Sequence, residues 1–414
     1  MNTERALSED QIEQITAEAL GRLSLDGKRV LVIIPDGTRT APIALFFRLL
    51  IKLLAGQVAA LDFLIALGTH PRMSADAISQ RLGLSPDELD HLPSRVHVLQ
   101  HEWWKPETFF KAGSLSGDEV ATLTDGMLNT VVDVTLNRRI LEYDQLLICG
   151  PVYPHEVVGF SGGTKYLFPG ISGQKMIDFT HWLGALHTSY AIIGRKDTVV
   201  RAVINRAAEF VARPTFALCL VVQGGALVGL YIGEARAAWG QAADHSARVH
   251  IQYLERPMHR VLAVMPAMYE DMWTGAKGMY KAEPIIADDG EIVIYAPHIT
   301  QVSYTHGSLL DEIGYHVRDY FVKQWARFEH YPWGVLAHST HLRGLGEYDA
   351  ARGIETPRVR VTLATGISRE HCTLLNLGYT DPAAIDFDDW RGRENEGVLL
   401  IPKAGEQLYR LKRN

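Results

Sequence analysis

The sequence predicts an α/β protein of two domains, each organised around a mostly parallel sheet. Three observations carry this expectation. Short continuous apolar runs recur along the chain, helical patterns alternate with them, and a break at Glu255-Arg256-Pro257 divides the 414 residues into two such stretches. Strands covered on both faces read as unbroken apolar runs, and their alternation with helices is the pattern of βαβ units.

Taken in order, residues 29–34 (RVLVII) form the first expected strand, ending at Pro35-Asp36-Gly37-Thr38. An amphipathic helix is expected over about 42–54. Residues 61–67 (LDFLIAL) make the next strand, which ends at Gly68-Thr69-His70-Pro71, with a helix from about Ser74. Further strands are expected over 145–149, 215–222, 260–264, 291–295 and 358–363, and a long helix over about 234–254. The expected domains are therefore 1–255 and 256–394, with one more strand in 395–411 placed as an addition to the first domain.

Composition narrows the class. A balance of 41 Lys+Arg against 48 Asp+Glu, without basic blocks, gives no electrostatic footprint for nucleic acid or an anionic membrane. Cys149, Cys219 and Cys372 are odd in number and far apart, which excludes a disulfide framework or a CxxC metal site. The opening Met1-Asn-Thr-Glu-Arg-Ala lacks the basic-then-apolar order of a secretory leader, and residues 44–68 are broken by charges. A cytoplasmic protein is expected.

The residues that suggest chemistry stand where strands end, which is where open α/β sheets bind ligands. Asp36-Gly-Thr38-Arg39 follows the first strand, and an Arg there is placed to hold a carboxylate or phosphate. His70 follows the second strand. The densest segment, 150–173, has six glycines, three prolines, His155 and Lys165, a composition suited to tight turns and close backbone approach rather than to a helix. Its plain reading is a surface loop with a turn at Gly162-Gly163. It lacks G-x-x-x-x-G-K-[ST], and no G-x-G-x-x-G follows the first strand. Gly159-Phe-Ser161-Gly-Gly163 fits G-x-S-x-G literally, but no clear strand runs into Ser161. Lys277, in Trp273-Thr274-Gly-Ala-Lys277-Gly-Met, is either an anion ligand or a solvated helix lysine. The other histidines show no zinc spacing, and no chemistry attaches to His101-Glu-Trp-Trp.

In sequence, Asp36-x-Thr-Arg39, Ala66-Leu-Gly-x-His70, His155-x-x-x-Gly-x-Ser-Gly-Gly-x-Lys165, His181 and Lys277-Gly-Met resemble the lactate racemase family. The resemblance spans roughly residues 30–400, and 155–165 is its most specific part. It implies an active site in the cleft between two α/β domains and a nickel-pincer nucleotide cofactor. Lys165 would be joined to that cofactor, and His181 would be the protein ligand to nickel. His70 and His155 would be the acid/base pair. Arg39, Lys277 and Thr274 would hold the substrate, while Asp36, Thr38, Gly162 and Gly163 would surround the cofactor. The implied reaction inverts a 2-hydroxy acid by moving hydride to the cofactor and back, with cofactor-building enzymes as partners.

The chain departs from lactate-specific members at Thr274, where they carry Gln, at Trp273, where Tyr is usual, and at Thr40, where Pro commonly stands. The expectation is thus a racemase or 2-epimerase whose substrate is larger than lactate. Two alternatives stay open, an NAD-dependent 2-hydroxyacid dehydrogenase and a non-catalytic carrier of the cofactor.

Overall fold

A computed structural model describes residues 4–412; the first three residues, which entered the leader argument, lie outside the described range. The chain divides into two compact units, each considered by itself. The first comprises the residues up to Tyr153, Phe160–Ile177 and Arg201–Val249, and the second comprises Pro154–Gly159, Asp178–Val200 and the residues from His250 onward.

The first unit is built on a six-stranded sheet ordered Ala226–Glu234, Thr215–Gln223, Gln145–Pro151, Arg29–Pro35, Ala60–Ala66, Val96–Gln100. All neighbours are parallel except the outer pair Ala226–Glu234 and Thr215–Gln223. Its central strands are buried along nearly their whole length, as their unbroken apolar composition requires. The helix Ile43–Leu54 buries Ile43, Phe46, Phe47, Leu50 and Leu54, a three-to-four-residue spacing that lays one stripe on the sheet. Phe47 meets the strand residue Phe63 with ring centroids 4.6 Å apart. The helix Ala75–Leu82 starts where the Ser74 hydroxyl accepts from the Ala77 N–H, and it stops at Gly83 in the left-handed region.

The second unit has a five-stranded, wholly parallel sheet ordered Gly378–Tyr379, Arg360–Thr365, Ile286–Ala296, Met258–Val264, Val398–Ile401. Three sequence expectations change here. The long helix stops at His250, and Ile251–Leu254 instead forms a strand paired with Leu408–Leu411. β-Branched and aromatic residues at Ile251 and Tyr253 suit that strand, and a distant partner decided the matter. The C-terminal stretch carries two strands rather than one, and both pair within the second unit. The division near residue 255 is also too simple, because 154–159 and 178–200 group with the second unit.

Candidate active site

In the first unit the strand order reverses between Arg29–Pro35 and Gln145–Pro151: the chain continues outward from one to Ala60–Ala66 and from the other to Thr215–Gln223. Loops leaving such a switch point part from one another and open a crevice at the strand ends. The Asp36 turn leaves the first of these strands and the glycine-rich segment leaves the second.

Asp36 is 6% exposed and fully engaged. Its Oδ1 accepts from the Thr38 N–H (3.0 Å) and the Thr38 hydroxyl (2.7 Å), which closes a tight turn. Its Oδ2 lies 2.5 Å from Nδ1 of His70. Burial alone would raise the Asp36 carboxyl, but the charge of His70 and the hydrogen bonds from His70 and Thr38 outweigh it and hold the group well below the usual carboxylate range. An ionised carboxylate only accepts, so Nδ1 of His70 carries a proton, and in the neutral ring the lone pair is on Nε2. Arg39 reaches back to the Thr38 carbonyl at 3.1 Å. The His101-Glu-Trp-Trp segment has a structural use here: the Trp103 indole donates to the His70 carbonyl at 2.9 Å and fixes the turn that carries the imidazole.

Lys165 is half-buried on a single 3-10 turn, Gly163–Tyr166. Gly162 (φ +83°) and Gly163 (φ +58°) precede it in the left-handed region, where a side chain is strained. A Cβ on Gly163 would also stand 2.8 Å from Cβ of Trp239. The Trp239 indole donates to the Ser161 carbonyl at 2.8 Å. The Arg201 guanidinium lies 4.0 Å over that indole and donates to the carbonyls of Phe160 and Gly162. Burial pushes Arg201 down to about 9. Arg201 and Trp239 therefore hold the lysine turn from behind, and neither had a signal in the sequence, because both sit on ordinary helix and strand-flanking stretches. Ser161 is no nucleophile: its hydroxyl donates to the Pro151 carbonyl and accepts from the Tyr153 N–H.

The second unit holds His155, His181, Thr274 and Lys277. His155 is 4% exposed, and its Nδ1 accepts from the Val157 N–H at 3.1 Å, with the Glu156 carboxylate 3.3 Å away. His181 is half-buried on the helix Gln174–His187. Lys277 is buried, opens the short helix Lys277–Tyr280, donates to the Thr274 carbonyl and lies 4.8 Å over the Tyr269 ring. It is not a solvated lysine. The Thr274 hydroxyl donates to the carbonyl and carboxylate of Asp271, the residue that caps the preceding turn.

Two histidines join this set that the sequence did not single out as functional. Burial, with the charges of His341, His306, Lys277 and His181 around it, drives His338 well below the usual imidazole range. Its ring stacks on Trp273 at 4.1 Å. Burial pushes His341 down to about 4, opposed by Glu156 and helped by His181. Both rings are thus neutral; His338 feels the charges of Lys277 and His181, and His341 that of His181. Among the described residues no group of three or more His, Cys, Asp or Glu is arranged to hold a metal by itself.

Residues 2–194 match the sequence profile of the lactate racemase N-terminal domain. The chain is 24% identical over 289 residues to a lactate racemase of Thermoanaerobacterium thermosaccharolyticum and 21% identical over 290 residues to one of Lactiplantibacillus plantarum. Over residues 2–194 the chain belongs to the lactate racemase N-terminal domain family. Each of these alignments covers 68% of this chain and 63% of the curated lactate racemase, so the chain spans less than two thirds of those relatives' length. Among solved structures, a protein from Thermotoga maritima matches with a TM-score of 0.90 and 32% identity, covering 99% of this chain and 100% of that one. The lactate racemase apoprotein of Thermoanaerobacterium thermosaccharolyticum shares the fold at a TM-score of 0.72 and 20% identity, over 98% of this chain and 93% of its own. The lactate racemase N-terminal domain match contains Asp36, Thr38, Arg39, His70, His155, Lys165 and His181; Thr274 and Lys277 lie beyond it.

Proposed function

We propose that the protein is a racemase or 2-epimerase of a 2-hydroxy acid, dependent on a nickel-pincer nucleotide attached at Lys165. The observation that carries this reading is a pair of imidazoles each held through Nδ1. Asp36 makes Nδ1 of His70 a donor, which leaves Nε2 a base. Nδ1 of His155 is held between the Val157 N–H and the Glu156 carboxylate, so proton exchange there falls to Nε2, an acid when the ring is protonated. An inversion needs one group of each kind, and each must exchange roles when the reaction runs backwards.

The donors present suit the cofactor. Lys165 offers an amine on a turn held rigid by Arg201 and Trp239, and His181 offers one imidazole, which is what a metal whose other ligands come from the cofactor requires. Gly162, Gly163, Thr38 and Asp36 would border the nucleotide. When bound, the cofactor supplies a carbon able to take hydride from the substrate Cα and return it.

The rest falls to the chain. His70 takes the hydroxyl proton, and His155 gives one back on the return, each step worth on the order of 10²–10⁴-fold. Arg39 and Lys277 grip the carboxylate while the carbonyl centre turns over, and Thr274 borders the variable part of the acid. This reading implies cofactor-building enzymes as partners and the cytoplasm as the compartment. Among the described residues no helix is long and apolar enough to cross a membrane. The reading has no role for nucleic acid.

Expression in a host that makes the cofactor, followed by intact mass, nickel analysis and a chirality assay on a panel of 2-hydroxy acids, tests it. An adduct on Lys165 with about one nickel per chain and loss of optical purity in one acid is the expected result. A protein with the adduct that inverts none of the panel would be a carrier instead.

A further inference from the structure

The last turn of the helix Ala75–Leu82 in the first unit carries an arginine that has no part in the account above. Nε and Nη2 of Arg81 are buried and have no hydrogen-bond partner among the described residues. These two nitrogens form one edge of the guanidinium, with N–H bonds pointing the same way, and that edge matches the two oxygens of a carboxylate or phosphate. A buried edge of this kind left unpaired costs stability, and native folds keep few such groups. Arg201 shows the alternative in the same unit, with a guanidinium that stacks on Trp239 and donates to the carbonyls of Phe160 and Gly162.

The surroundings say what the edge is for. The charge of Arg81 acts on Asp36, Tyr166, Cys149 and Tyr153, which stand at the ends of the two switch-point strands or on the lysine turn. Asp36 is not its partner: the Asp36 oxygens accept from His70 and Thr38, and Nε and Nη2 of Arg81 make no hydrogen bond to them. Tyr166, a phenol pushed up by burial, feels both Arg39 and Arg81, so the two cations flank the same turn. A guanidinium remains charged even where burial lowers its affinity for the proton.

We propose that the Nε/Nη2 edge of Arg81 is an oxyanion subsite at the switch point of the first sheet. It takes a planar pair of oxygens from the carboxylate of a 2-hydroxy acid or from the phosphate of the nucleotide. The inference rests on the reading of this crevice as the substrate and cofactor site.

Calorimetric titration of the cofactor-free protein with inorganic phosphate, AMP and 2-hydroxybutyrate tests it, with Arg81→Lys and Arg81→Gln beside the wild type. Lysine keeps the charge but not the paired donors, so binding about tenfold weaker or worse is expected for Arg81→Lys, and more for Arg81→Gln. Loss confined to phosphate and AMP assigns the nucleotide, and loss confined to 2-hydroxybutyrate assigns the substrate. Equal affinity in all three proteins, or no binding by the wild type, overturns the subsite. A second measurement guards against misfolding: Arg81→Met in anion-free buffer is expected to melt no lower than the wild type, because it removes an unpaired buried charge. A clear fall in its melting temperature would make Arg81 a structural residue. The Lys165 adduct and the chirality assay are independent of these titrations, so each idea can fail without the other.

Discussion

Nδ1 of His70 lies 2.5 Å from Oδ2 of Asp36, a carboxylate that is itself fixed by two hydrogen bonds from Thr38. The pair sets which ring nitrogen of His70 holds the proton. Asp36→Asn presents an amide of the same shape that favours the wrong tautomer, so turnover should fall on the order of 10²–10⁴-fold with the Lys165 adduct intact. Stability gives a second readout. A carboxyl held below its unfolded value stabilises the fold above that value, and the contribution disappears as pH falls through the folded one. Melts of wild type and Asp36→Asn should therefore differ near neutrality, begin to approach one another only below about pH 4, the ordinary carboxylate range, and meet well below it.

The lysine turn depends on a residue without a side chain. In Gly163→Ala the new Cβ meets Trp239 at 2.8 Å and the backbone must hold φ +58°. The left-handed penalty and the overpacking together should cost roughly 2–5 kcal/mol. Thermal denaturation measures that loss, and intact mass should show less adduct although Lys165 remains. A variant that melts like the wild type and carries full adduct would remove the turn's geometry from the account.

What could be read beforehand followed from local pattern. The apolar runs at 29–34 and 61–67 became the strands Arg29–Pro35 and Ala60–Ala66, and Ser74 capped the helix expected after them, because burial on both faces and capping leave marks in adjacent residues. The switch point needed strand order, which no local pattern carries. Ile251–Leu254 was hidden for the same reason, since its partner Leu408–Leu411 is more than 150 residues away. Asp36, His70, His155 and Lys165 drew attention through turn chemistry and motif spacing. Arg81, Arg201, His338 and His341 did not, because a buried orphan edge or a ring lowered by burial exists only in three dimensions.

His101 shows how such burial can be measured. It is fully buried, the Asn137 amide donates to its Nδ1 at 3.0 Å, and burial pushes it down to about 4. A histidine whose folded value lies below its unfolded one binds its proton mainly in the unfolded chain, so stability falls as pH drops from about 6.5 towards 4 and levels off below. The full window is worth roughly 3 kcal/mol for this one group at the usual conversion of 1.36 kcal/mol per unit. His101→Gln keeps a neutral acceptor for Asn137. Its melting temperature should fall less between pH 7 and pH 4.5 than that of the wild type. Parallel slopes would mean that His101 titrates normally.

On the proposed function, Thr274 is the residue to vary for substrate choice. Its hydroxyl proton is committed to Asp271 at 2.9 Å, so it has no donor to give an acid and would act chiefly through its size. Thr274→Gln would add length and an amide beside Lys277, which lies one helical turn on and donates to the Thr274 carbonyl. The loss of the Asp271 contacts should cost about 1 kcal/mol of stability, a fall visible in a melt. The added bulk should shift kcat/KM towards lactate and away from longer 2-hydroxy acids by roughly 10–200-fold, the range that one or two methylenes command in a shaped pocket. Rates of chirality loss for lactate and for a five- or six-carbon acid, measured on both proteins, give the ratio directly. If the ratio stays fixed while stability drops, Thr274 serves the turn alone, and the breadth of the substrate must be set elsewhere, with Trp273 and its stacked partner His338 as the next pair to vary.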